Sequence, residues 1–163
     1  MKAIDRMGYE SVNTHLKEGD VDITKVVLDH ADIVTSHICN KNCQYCVDKF
    51  IHTSSKLISL ETIEKFLKLL RCHTEEKLEI LLLGGEPTVL PTERLIAIAN
   101  LIHQYGFAVI MSTNGVLKEK IVSLIPYFDW IQITVNSDEE IDFYRKWPKK
   151  INIKLAGDES LTM

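Results

Sequence analysis

Three cysteines fall within eight residues, in Cys39-Asn40-Lys41-Asn42-Cys43-Gln44-Tyr45-Cys46. Thiolates are soft ligands, so three on one loop point to zinc or to an iron–sulfur cluster. Three thiolates can wrap a cubane cluster and leave one iron without a protein ligand. An open iron lets a cluster bind a substrate-like molecule as well as pass electrons. The same thiols with His37 or His52 would instead complete a structural Cys₃His zinc site. Zinc sites usually pair two ligand pairs a dozen or more residues apart, and this chain has no second pair. Cys72 is solitary and reads as a packed or incidental thiol.

A second group is Leu83-Gly84-Gly85-Glu86-Pro87. Paired glycines let a backbone come close to a ligand where a Cβ would prevent it. The carboxylate can accept charge-assisted hydrogen bonds from an ammonium group. Taken alone, the segment also reads as a plain turn before a helix. Two further polar segments, Ser112-Thr113-Asn114-Gly115 and Thr134-Val135-Asn136, read either as turns and caps or as ligand contacts.

Each of these groups closes a strand-like run. Asp32–Ile38 is rich in β-branched residues and ends at the first cysteine. Leu78–Leu83 is nearly continuous in apolar residues, as in a sheet buried on both faces. Phe107–Met111, Trp130–Val135 and Ile151–Leu155 give three more strands. Between them lie helical patterns: one with Ser59 as N-cap and Leu60, Ile63, Phe66, Leu67 and Leu70 on one face, then Pro91–Gln104, Lys118–Ile125 and Asp138–Lys146. This alternation predicts an α/β fold of about five βα units with a parallel sheet, as a half-open barrel or a doubly wound sheet. The chemistry then gathers at the carboxyl ends of the strands, where such folds assemble their sites. Residues 1–30 form a more polar N-terminal extension, with a weak helical pattern at Tyr9–Lys17 and a short strand pattern at Val26-Val27-Leu28.

Bulk properties narrow the class. A chain of 163 residues suits one domain, and 45% hydrophobic with 26% charged residues is the balance of a globular protein. A net charge of −4 leaves no broad basic face for nucleic acid, and Lys146-Trp147-Pro148-Lys149-Lys150 reads as a solvated turn. No apolar stretch approaches the roughly 20 residues of a membrane span. The N-terminus lacks a secretory core, so a cytoplasmic, reducing setting is expected. Closely spaced cysteines there point to metal or redox chemistry rather than disulfides.

The CxxxCxxC spacing with an aromatic residue, Tyr45, before the third cysteine resembles the signature of the radical S-adenosylmethionine (SAM) superfamily. Gly84-Gly85-Glu86-Pro87, one βα unit later, resembles that family's GGEP motif, which binds the SAM amino group. The resemblance implies a partial (βα) barrel and a [4Fe–4S] cluster on Cys39, Cys43 and Cys46. It implies that SAM chelates the open iron and is cleaved reductively to a 5′-deoxyadenosyl radical that abstracts hydrogen from a peptide, protein or small molecule. It also implies an electron donor of flavodoxin or ferredoxin type. Ser112 and Asn114 match the polar end of the family's third strand. Thr134 and Asn136 stand where many relatives carry Ser-x-Asp against the SAM ribose, although asparagine lacks the carboxylate's charge. Arg145 is placed like an arginine that grips the SAM carboxylate in peptide-modifying relatives. Leu155 and Gly157 fit a looser adenine-packing pattern, from which Ile153 and Ser160 depart.

The resemblance runs from about Asp32 to Gly157. The family's usual core has six βα units, which makes residues 31–163 either a minimal partial barrel or a piece of a longer one. Two other readings stay open on the sequence: a non-catalytic zinc or Fe–S module, and a truncated, inactive member.

Overall fold

A computed structural model describes residues 30–44, 46, 56–74, 77–135 and 137–155. The expected patterns at 9–17 and 26–28 lie outside them, as do Tyr45, His52, Asn136 and Gly157. The described elements are β1 (His30–Ser36), α1 (Leu60–His73), β2 (Glu79–Gly84), α2 (Thr92–Gln104), β3 (Ala108–Thr113), α3 (Lys118–Leu124), β4 (Trp130–Val135), α4 (Asp138–Tyr144) and β5 (Ile151–Leu155). Short 3₁₀ turns follow β2 at Pro87–Val89 and α3 at Ile125–Tyr127.

The five strands form one parallel sheet in the order β1-β2-β3-β4-β5. Each helix carries the chain back so that the next strand pairs in parallel with the last, the βα repeat expected from the sequence. Alternate strand residues Ile33, Ile80, Leu82, Val109, Met111, Ile131, Ile133 and Val135 join Ile63, Leu67, Leu95, Ile98, Ile121 and Tyr144 from the helices in a single buried cluster. All four helices therefore cover one face of the sheet, and the partial-barrel form is the one the chain adopts. The doubly wound alternative would have placed helices on both faces.

Local chemistry fixes the helix starts. Ser59 Oγ accepts from the Thr62 N–H at 3.0 Å, the expected cap of α1. Ser137 Oγ caps α4 by accepting from the Glu140 N–H at 3.3 Å. Strand β3 runs two residues further than its apolar stretch, because Ser112 and Thr113 pair with Gln132 and Ile133 of β4. A hydrophobic run marks only the part of a strand that needs burial, and the ladder continues through polar residues. β1 begins and ends two residues earlier than expected. Its last bridge is Ser36 to Gly84, after a register irregularity between Val34 and Ser36 that turns the chain toward the cysteines.

Candidate active site

The cysteine loop is seated directly on the glycine turn. The Gly85 N–H donates to the Ser36 carbonyl at 2.8 Å, and the Glu86 N–H to the Ile38 carbonyl at 2.8 Å. These bonds carry the β1–β2 pairing past the strand ends, up to the residue before Cys39. The closeness requires glycine. A Cβ on Gly84, whose φ is +124°, would run into the Ser36 carbonyl oxygen, and one on Gly85 would run into the Ile38 carbonyl. The space spared by both glycines thus admits the backbone of the cysteine loop, where the sequence suggested a bound ligand.

Glu86 is only 1% exposed. Its Oε1 accepts from the Thr88 N–H at 3.0 Å, the Thr88 hydroxyl at 2.5 Å and the Thr113 hydroxyl at 2.6 Å. Its Oε2 accepts from the Asn114 N–H at 2.7 Å. A buried carboxylate needs such donors, and four protein groups already supply them. The acceptor capacity left for an incoming ammonium is at Oε2 and on the backbone carbonyls of the turn. Pro87 opens the 3₁₀ turn that Glu86 caps, a position where its missing N–H costs nothing.

Asn114 ties the third strand to the cysteine loop. Its Nδ2 donates to Asn40 Oδ1 at 2.7 Å, and its Oδ1 accepts from the Val116 N–H at 3.2 Å. Both ends of its side chain are thereby engaged by protein. Below it, the buried Tyr144 hydroxyl donates to the Gly115 carbonyl at 2.8 Å and holds the turn, in which Gly115 takes a φ of +75°. Burial, the largest cause, pushes the Tyr144 hydroxyl far above the usual tyrosine range, so it stays a donor.

These pieces enclose a cleft of about 320 Å³ at the carboxyl edge of the sheet. Cys39, Cys43, Cys46 and Lys41 line it from the loop, Leu83, Gly84, Gly85 and Glu86 from β2 and its turn, and Ser112, Thr113, Asn114 and Thr134 from β3 and β4. The fold therefore brings together the three thiols, the glycine turn, Ser112, Asn114 and Thr134. Leu155 closes β5 beside Val135 at the same edge.

Arg145 is the exception. It follows α4, pairs with Asp142 at 3.1 Å, and lines another cavity with Asp129, Trp130 and the 148–153 segment, where β4 and β5 begin. Helix α4 runs back against the direction of β4, so a residue after its last turn is carried away from the strand ends.

Reasoning from sequence missed Thr88, Thr113, Asn40 and Lys41. The signal for the threonines was the requirement that a carboxylate on a buried strand end find donors nearby. Asn40 and Lys41 carried none, because their role depends on which strand end the loop faces.

The donor set suits an iron–sulfur cluster. Cys39, Cys43 and Cys46 all line the one cleft, and three thiolates there can each take a separate iron of a cubane. His37, a candidate fourth zinc ligand, does not line the cleft.

Comparison with known proteins agrees with this construction. Residues 33–155 match the family model of the radical SAM superfamily, and the chain belongs to that superfamily. Membership implies a [4Fe–4S] cluster and SAM as cofactors. No match is found among curated protein sequences. Among solved structures, anSMEcpe with bound AdoMet superposes with a TM-score of 0.63 at 16% identity, over 77% of this chain and 42% of its own. The same protein with AdoMet and the Cp18Cys peptide gives 0.61 at 18% identity, over 77% and 42%. BtrN in complex with AdoMet and 2-DOIA gives 0.65 at 14% identity, over 84% and 59%. At these identities the likeness is one of fold, and the chain spans only about half the length of those proteins.

Proposed function

We propose that residues 31–163 form the cofactor-binding core of a radical SAM enzyme, with residues 1–30 as an N-terminal extension. Cys39, Cys43 and Cys46 would hold a [4Fe–4S] cluster, and Gly84, Gly85, Glu86 and Pro87 would seat the SAM amino group. Ser112, Asn114 and Thr134 would border the rest of the cofactor. Tyr45, Asn136, Leu155 and Gly157 complete the set on the family pattern. When bound, the cluster supplies the electron that cleaves SAM to methionine and a 5′-deoxyadenosyl radical, which takes hydrogen from a substrate. The protein's part is to hold, orient and shield.

The observation that carries this reading is the convergence of three thiols, a glycine-glycine-glutamate turn and the polar ends of β3 and β4 on one cleft. The substrate is a peptide, protein or small molecule. The neighbours bound to a Cp18Cys peptide and to 2-DOIA represent two of those classes on one fold. An electron donor of flavodoxin or ferredoxin type would work with the chain in a reducing cytoplasm. No helix among the described residues is long and apolar enough to cross a membrane.

Anaerobic reconstitution with iron and sulfide tests the proposal. The expected result is about four irons per chain, and 5′-deoxyadenosine and methionine after SAM and a reductant are added. One tightly held zinc per chain, or a loaded cluster that never cleaves SAM, overturns it.

A further inference from the structure

We propose that Asn114 is a self-modifying site, which its own turn converts to aspartate or isoaspartate when the cysteine loop lets go of it. Asn114-Gly115 is the only Asn-Gly step in the chain. Glycine has no side chain to shield its backbone nitrogen, so that nitrogen is open to bond with the carboxamide carbon of the preceding asparagine. The turn holds each group that such a ring closure uses. The Val116 N–H donates to Asn114 Oδ1 at 3.2 Å. That bond folds the side chain back over the Gly115 peptide, and it would stabilise the negative charge that builds on Oδ1 during attack. The Gly115 N–H donates to Thr113 Oγ1 at 3.3 Å, and the Thr113 hydroxyl donates in turn to Glu86 Oε1 at 2.6 Å. A buried carboxylate thus reaches the proton of the attacking nitrogen through one hydroxyl, the arrangement of a general base acting by relay. Asn114 lines the cleft, from which water enters.

In the reaction the bond from Gly115 N to Asn114 Cγ forms and the Cγ–Nδ2 bond breaks. The Gly115 proton is taken up along the Thr113–Glu86 path, and a proton is returned to the departing nitrogen, which leaves as ammonia. Water then opens the succinimide ring, at Cγ to give aspartate or at the backbone carbonyl to give isoaspartate. One water enters, one ammonia leaves, and no electron is transferred. The brake is Asn40. Its Oδ1 accepts from Asn114 Nδ2 at 2.7 Å, the shorter of the two bonds on that side chain. Closing the ring swings the carboxamide off this partner, so the clasp must open first. The product cannot restore it, because a carboxylate at position 114 has no N–H to give. The conversion therefore marks chains whose cysteine loop has stood open.

The test is peptide mapping by mass spectrometry of the full chain, held anaerobically at neutral pH, with the aspartate and isoaspartate products separated. N40A should convert about 2- to 10-fold faster than the wild type, the range of one neutral hydrogen bond. N40D, whose side chain still accepts from Nδ2, should not. Adding T113V to N40A should slow conversion about 100-fold, the low end of positioned acid–base catalysis. T113S in its place should keep the N40A rate. The direction decides the matter, because T113V also destabilises the chain, and loosening alone would speed the reaction. Asn100 and Asn152, each followed by a branched side chain, are internal controls and should stay unconverted. Equal rates in N40A and the wild type overturn the proposal. So does conversion in the T113V chain as fast as in N40A or faster, which would mean that the turn reacts only by unfolding. An Asn114 that stays intact in every variant overturns it as well. None of these readouts requires the cluster, so they stand whether or not the chain takes up iron.

Discussion

At the edge where the strands end, polar groups from four segments converge on one cleft, whereas at the edge where the strands begin they pair off with one another. Asp129 illustrates the second kind. Its Oδ2 accepts from the Val109 N–H at 2.8 Å and stands 2.9 Å from His103 Nε2, with Lys77 at 3.9 Å from Oδ1. Nearby, Lys150 Nζ donates to the Phe128 carbonyl at 2.9 Å, and Arg71 closes the turn after α2 by donating to the Tyr105 carbonyl. The cavity at that end is the larger, about 540 Å³ against 320 Å³. It nevertheless gathers no set of convergent ligands. Volume alone does not make a site; convergent polar groups held by a rigid frame do.

The comparison is broken most severely at the thiols. Replacing any one of Cys39, Cys43 or Cys46 with alanine should reduce bound iron and SAM cleavage to background while leaving the far-ultraviolet circular dichroism of the chain intact. Next in size is the glycine seat. G85A should destabilise the chain by about 1–3 kcal/mol through overpacking and should lower cluster loading, because the loop must lift off Ile38. Thermal unfolding with iron analysis reads both effects. An alanine at 85 that retains full iron would mean that the loop is not held by this seat.

T113V comes third. It removes one donor from a buried carboxylate, at a cost of about 1.5–3 kcal/mol, measurable as a lower denaturation midpoint. D129N should give the smallest effect and leave iron content unchanged. Burial works to raise the Asp129 carboxyl, yet the His103 and Val109 hydrogen bonds overcome it and leave it below its ordinary 3.8. Its contribution is therefore present above pH 3.8 and is lost as pH falls through the lower folded value. D129N should flatten that acid limb of a melting-temperature profile, and an unchanged limb would remove Asp129 from the account.

The same contrast explains how much was legible in the sequence. Strand and helix identities followed from periodicity, and Trp130–Val135 and Ile151–Leu155 were found with their observed bounds. The cysteines and the glycine turn were legible because their chemistry is carried by residue type and spacing. The purpose of the glycines was not, since only the pairing of β1 with β2 shows that the Ile38 carbonyl lies where a Cβ would go. The position of Arg145 beside the other cavity was not legible for a related reason: distance along a sequence does not say at which end of a short helix a side chain emerges. Lys41 and Asn40 could be recognised only once Asn114 had been placed across from them.

The clasp between Asn40 and Asn114 joins residues 74 apart in the chain. On a ribosome adding about 5–20 residues per second, the cysteine loop is made roughly 4–15 s before its far anchor exists. Until β3 has docked, the three thiols hang from an unfinished frame and Glu86 lacks the Thr113 and Asn114 donors that fix it. The frame that arranges the three thiols is thus complete only after β3 has been made and docked, well after the cysteine loop itself.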